Sequence, residues 1–113
     1  MASQNSLRLC TFNCRSVKNS VFDVQKLCES HDIIFLQEHW LLPFELNMLS
    51  NLHTEFLAFG TSAVNVRDDL ITGRPYGGTA VLYRKKFARF VNIVDCHEPR
   101  MCAVKVMTQP APR

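Results

Sequence analysis

The chain has 113 residues, 47% hydrophobic and 20% charged, with a net charge of +3 and a pI near 8.7. That is the composition of one globular domain able to bury a core; it excludes a mainly disordered chain, and so modest a charge is compatible with a polyanionic partner without demanding one. No run approaches the roughly eighteen uninterrupted apolar residues of a membrane helix, and the polar start Ala2 to Ser6 lacks a signal peptide's apolar region, so a soluble intracellular protein, nuclear or cytoplasmic, with no membrane partner is expected.

Leu7 to Cys14 reads as a first strand, a short apolar run that ends in a polar amide at Asn13. Asn19 to His31 carries Val21, Val24, Leu27 and Cys28 at helical spacing, with Asp23, Gln25, Lys26 and Glu29 on the wet face. Ser20, three residues before Asp23, is the expected N-cap. Ile33 to Leu36 is too short an apolar run for a helix and reads as a strand buried on both faces, at the centre of a sheet. Gln37 and Glu38 follow at once, so an ionisable group sits where the strand leaves the core and must find water, a donor or a cation.

Strand, helix, strand with a crossover of this length makes the two strands parallel, so their carboxyl ends share one rim of the sheet. Asn13 and Glu38 are therefore expected side by side, at the rim where open α/β sheets bind ligands. The plainer reading of Glu38 is a solvated strand end.

The five cysteines lack paired spacing and fit a reducing compartment. Cys10 and Cys14 lie about 13 Å apart along an extended strand, too far to share one ion, and read as core residues. Cys96 and Cys102 are placed to face one another across a hairpin as reduced thiols. Pro43 to Leu52 is an expected short helix opened by its proline, and Glu55 to Phe59 a third strand ending at Gly60. Thr61 to Pro75 shows no sustained periodicity and reads as a polar loop. In Tyr76 to Arg84 a double glycine opens a strand, either for a bend or to let a backbone or phosphate come close. The basic run Arg84-Lys85-Lys86 with Arg89 reads as a solvated turn. Phe90 to Cys96 and Met101 to Met107 make an antiparallel hairpin with a loop of about four or five residues around His97, a turn residue rather than a base. Order is expected over about residues 6–108.

Thr11-Phe12-Asn13, Leu36-Gln37-Glu38 and Tyr76-Gly77-Gly78-Thr79-Ala80-Val81-Leu82-Tyr83 together resemble, in order and spacing, the N-terminal half of the endonuclease/exonuclease/phosphatase superfamily. The likeness is nearest to the endonuclease domain of non-LTR retrotransposons, kin to apurinic/apyrimidinic endonucleases and deoxyribonuclease I. It implies an α/β (α+β) fold: the N-terminal half of a deoxyribonuclease I-like four-layer α/β/β/α sandwich with a mixed sheet. It also implies a Mg²⁺-dependent phosphodiesterase acting on DNA, with Mn²⁺ as a substitute and one ion expected. Asn13 resembles the family's active-site asparagine and Glu38 its metal-binding glutamate; Arg74 and Tyr76 match more loosely and are candidate substrate contacts.

The family's Gly-Asp-x-Asn and late Ser-Asp-His do not occur here, so residues 1–113 read as a partial domain whose C-terminal half is missing, inactive alone. The alternative is a non-catalytic remnant that binds nucleic acid or a protein through an exposed sheet. Without a partner sheet, the apolar faces of Ile33 to Leu36 and Ala80 to Leu82 are expected to lie partly in water and to promote self-association.

Overall fold

The computed structural model describes residues 6–67, 70–73, 77–98 and 100–107. Strand β1 (Leu9–Asn13), helix α1 (Val21–Ser30) and strand β2 (Ile33–Gln37) form the expected crossover unit. β1 and β2 are parallel, from Leu9 opposite Ile33 to Asn13 opposite Gln37. Val24 and Cys28, one turn apart on α1, are fully buried against the sheet. Ser20 occupies the N-cap position of this helix, as expected, but its side chain makes no capping hydrogen bond. Its hydroxyl donates instead to the Cys14 carbonyl at 2.8 Å, because the chain leaving β1 folds back beneath the helix start.

After a 3₁₀ segment at Pro43–Asn51 come β3 (Phe56–Thr61), β4 (Val64–Arg67), β5 (Leu70–Gly73) and β6 (Thr79–Arg84). The stretch expected as a loop thus contains an antiparallel hairpin, β4 with β5. The main sheet runs in the order β1-β2-β6-β3, with β6 antiparallel to both neighbours, so it is mixed. A further 3₁₀ segment, Lys85–Phe90, leads to the hairpin of β7 (Val91–Val94) and β8 (Ala103–Val106). The connection between these strands spans residues 95–102, longer than the sequence suggests.

Strand alternation gives the main sheet two faces. Ile34, Leu36, Ala80 and Leu82 pack toward α1, Val17, Leu49 and Leu52. Ile33, Val81 and Tyr83 point the other way, where Val91, Val104 and Val106 of the second hairpin meet them. Ile33 and Val81 are 0% exposed, so the expectation that this face lies in water fails over β2 and β6. The turn after β6 returns the chain on the side opposite α1. The edge strands stay partly open there, with Leu9 of β1 55% exposed and Leu57 of β3 also exposed.

Arg84 overturns its reading as part of a solvated turn. It donates from Nε to Asp32 Oδ1 at 3.2 Å and from one terminal nitrogen to the Cys28 and His31 carbonyls at 2.6 and 2.8 Å, and it lies 4.7 Å over the Phe56 ring. Asp32, buried at the start of β2, also accepts the Arg8 backbone N–H at 3.0 Å. Burial is the largest influence on Asp32 and pushes its carboxyl up, but hydrogen bonds from the Arg8 backbone and side chain, the Arg8 charge and Arg84 outweigh it and hold the pKa below its usual value.

Candidate functional site

The carboxyl ends of β1 and β2 meet at one rim, and there Asn13 Nδ2 donates to Glu38 Oε2 at 2.6 Å. The two residues are 25 apart in sequence and are brought together by the parallel register. Beyond the regular strands the two chains stay paired: Cys14 N–H donates to the Gln37 carbonyl at 2.8 Å, Ser16 N–H to that of Glu38 at 2.9 Å and Val17 N–H to that of His39 at 3.1 Å. On the other side Trp40 N–H reaches the Gly77 carbonyl at 3.0 Å. Glu38 is thus held from both flanks.

Four residues of these two loops have left-handed backbones: Arg15 (φ 46°), Ser16 (82°), Glu38 (56°) and Trp40 (59°). Non-glycine residues in this region cost about 1–2 kcal/mol each, so such geometry persists only where surrounding contacts impose it. The paired carbonyls are among those contacts, and the result is to turn Glu38 out of the strand direction onto the rim beside Asn13.

One oxygen of Glu38 is committed to Asn13. Oε1 of Glu38 and Oδ1 of Asn13 have no hydrogen-bond partner among the described residues. A carboxylate oxygen on a partly exposed rim is the kind of hard donor that a divalent cation keeping most of its waters takes. Among the described residues no group of three or more His, Cys, Asp or Glu side chains converges on one point. The Glu38 charge is also felt next door: burial, and secondarily Glu38, pushes the Cys14 thiol up to about 11.

From Asn13 a polar row crosses the sheet at the same level through Gln37, Thr79 and Thr61, as the register dictates. Thr11 Oγ1 donates to Gln37 Oε1 at 3.0 Å, the Thr61 and Thr79 hydroxyls are 3.1 Å apart, and Thr79 donates to Cys102 Sγ at 3.1 Å. Beyond Thr61 opens a groove of about 470 Å³, lined by Phe59, Asp95, His97, Glu98 and Met101 among others. His97 is a turn residue with φ 53°, and its N–H donates to Asp95 Oδ1 at 2.9 Å. Cys102 points at Thr79 while Cys96 contacts the Val94 carbonyl, and all five cysteines are free thiols.

His39, which sequence reasoning did not single out, is 0% exposed. Leu41 N–H donates to its Nδ1 at 2.9 Å, so the proton is on Nε2, which donates to the Thr61 carbonyl at 2.7 Å. Burial, the largest influence, holds its pKa below the usual value against the hydrogen bonds to the Thr61 and Thr79 backbones. Gly78, at φ +100°, lies against the ring: a Cβ there would sit 2.2 Å from His39 Cε1. The close approach anticipated at the double glycine is therefore made by an imidazole. Arg74 and Tyr76 lie outside the described residues.

The fold is a mixed-sheet α/β architecture with an amide and a carboxylate joined at the carboxyl rim of its main sheet. Residues 10–112 match the Endonuclease/Exonuclease/phosphatase family, and the chain belongs to that family. Membership implies phosphodiesterase-like chemistry in general. No curated protein and no solved structure matches the chain. Among the described residues no helix is long and apolar enough to cross a membrane.

Proposed function

We propose that Asn13 and Glu38 form the metal-carboxylate side of a Mg²⁺-dependent DNA endonuclease site of the retrotransposon or AP-endonuclease kind, with Mn²⁺ able to substitute. The observation that carries this reading is the 2.6 Å contact between Asn13 and Glu38 at the carboxyl rim, with one oxygen of each making no hydrogen bond among the described residues. Glu38 is the ligand, and Asn13 fixes which of its oxygens faces outward while offering its own carbonyl to a water or a phosphate. A bound divalent ion supplies stabilisation of negative charge on the phosphate. Arg74 and Tyr76 are assigned as substrate contacts.

The base that activates water is not among these residues. Gly-Asp-x-Asn and Ser-Asp-His are absent from the sequence, and both ring nitrogens of His39 are engaged. In this reading the chain is the N-terminal half of a four-layer sandwich, with β7 and β8 beginning its second sheet. The chain alone then lacks the general-base contribution, commonly a factor of about 100 to 10,000.

Supercoiled-plasmid nicking in Mg²⁺ tests this. The chain should nick no faster than its Glu38→Gln variant, and a fusion carrying the missing motifs from a family member should nick and lose that activity with Glu38→Gln. Wild-type rates from the fused variant remove Glu38 from the site; strong nicking by the unfused chain overturns its proposed inactivity. The open face of β1, with Leu9 55% exposed, favours a second reading, a non-catalytic module that binds nucleic acid or a protein there. Binding of that kind survives Glu38→Gln.

A further inference from the structure

Glu38 and Trp40 both have left-handed backbones, and the residue between them is the buried His39. We infer that His39 is the positioning residue of the rim site: its ring locks the 38–41 segment in the conformation that presents Glu38 to Asn13. This rests on the reading of Glu38 as the metal ligand.

Three contacts converge on the ring, each from a different part of the chain. Nδ1 accepts from Leu41 N–H at 2.9 Å, closing the local turn, and Nε2–H donates to the Thr61 carbonyl at 2.7 Å, tying that turn to the end of β3. Gly78, just before β6, leaves no room for a Cβ above the ring. Glu38 cannot relax toward an extended backbone without rotating the next peptide, which would pull the ring off both hydrogen bonds. The strain in the two flanking residues is thus held in place by His39. With both nitrogens bonded inside the protein the imidazole is neither a ligand nor a proton carrier, and it acts only through Glu38.

The test uses the ¹⁵N-labelled full chain without metal, and reads the Asn13 side-chain amide. In the wild type the hydrogen bond to Glu38 should separate the two Nδ2 protons, and Glu38→Gln should reduce that separation. His39→Asn, which keeps an acceptor near the Nδ1 position but cannot reach Thr61, and His39→Gln, which reaches Thr61 but loses the local acceptor, should both move the Asn13 signal toward its Glu38→Gln position. The methyl shifts of Ile33, Leu36 and Leu82 and a cooperative thermal transition should persist. Mn²⁺ should bind the two His39 variants about 10- to 100-fold more weakly, the usual effect of losing a group that orients a ligand. An unchanged Asn13 amide in both variants overturns the inference, and so does outright unfolding of both, which would make His39 a core residue. Equal Mn²⁺ affinity of wild type and Glu38→Gln instead overturns the reading of Glu38 on which the inference rests.

Discussion

Replacing Arg84 by Met should destabilise the fold far more than a change in a surface basic run. The Met side chain keeps apolar contact with Phe56 but removes the donor to Asp32 and the donors to the Cys28 and His31 carbonyls. Breaking a buried ion pair from one side costs about 3–5 kcal/mol, and since Arg8 still serves Asp32 through its backbone N–H, about 3 kcal/mol is expected. For a domain of this size that lowers Tm by roughly 12 °C. The folded pKa of Asp32 lies below its unfolded value, so the carboxylate contributes stability that is present above the ordinary carboxylate range and lost as pH falls through the folded pKa. The gap between wild type and Arg84→Met should therefore be widest near neutral pH and narrow below about pH 4. Urea unfolding at a series of pH values measures both quantities. A loss under about 1 kcal/mol with no pH dependence would show Arg84 to be solvated like its neighbours.

Gly78→Ala should cost about 2–4 kcal/mol, the sum of left-handed backbone strain and a steric clash with the His39 ring; urea unfolding within about 0.5 kcal/mol of wild type would contradict the close approach. Burial, the leading cause in each case, raises the Cys14 and Cys28 thiols to about 11, so iodoacetamide at neutral pH should label the partly exposed Cys96 first and these two only on unfolding. Mass spectrometry of the labelled peptides decides the order, and early labelling of Cys14 would mean that the rim opens readily.

The crossover unit and its rim were legible because their signals are local: a fully apolar run in Ile33 to Leu36, helical spacing through Val24 and Cys28, and a connection long enough only for parallel strands. The placing of Asn13 beside Glu38 follows from those alone. Arg84 was not legible, since nothing within Arg84-Lys85-Lys86 separates the first cation from the others. Its partner is set by strand order: Tyr83 lies opposite Ile33, and that register puts Arg84 beside Asp32. The β4–β5 hairpin escaped because Val64-Asn65-Val66-Arg67 alternates over four residues only, too few for a period of two to stand out. Covering of the second sheet face depends on where the 3₁₀ segment Lys85–Phe90 sends the chain, a direction that composition does not encode. His39 is hidden for the same reason, its partners Thr61 and Gly78 being 22 and 39 residues away (61 − 39 and 78 − 39).

That the Asn13 and Glu38 pair is a divalent-cation site is tested most directly by titrating Mn²⁺ into the ¹⁵N-labelled chain and following paramagnetic broadening. Saturable broadening confined to residues 13–16 and 37–40, reversed by excess Mg²⁺ and abolished by Glu38→Gln, is the predicted result. Broadening that persists in Glu38→Gln, or that centres on Asp95, His97 and Glu98 instead, would contradict it.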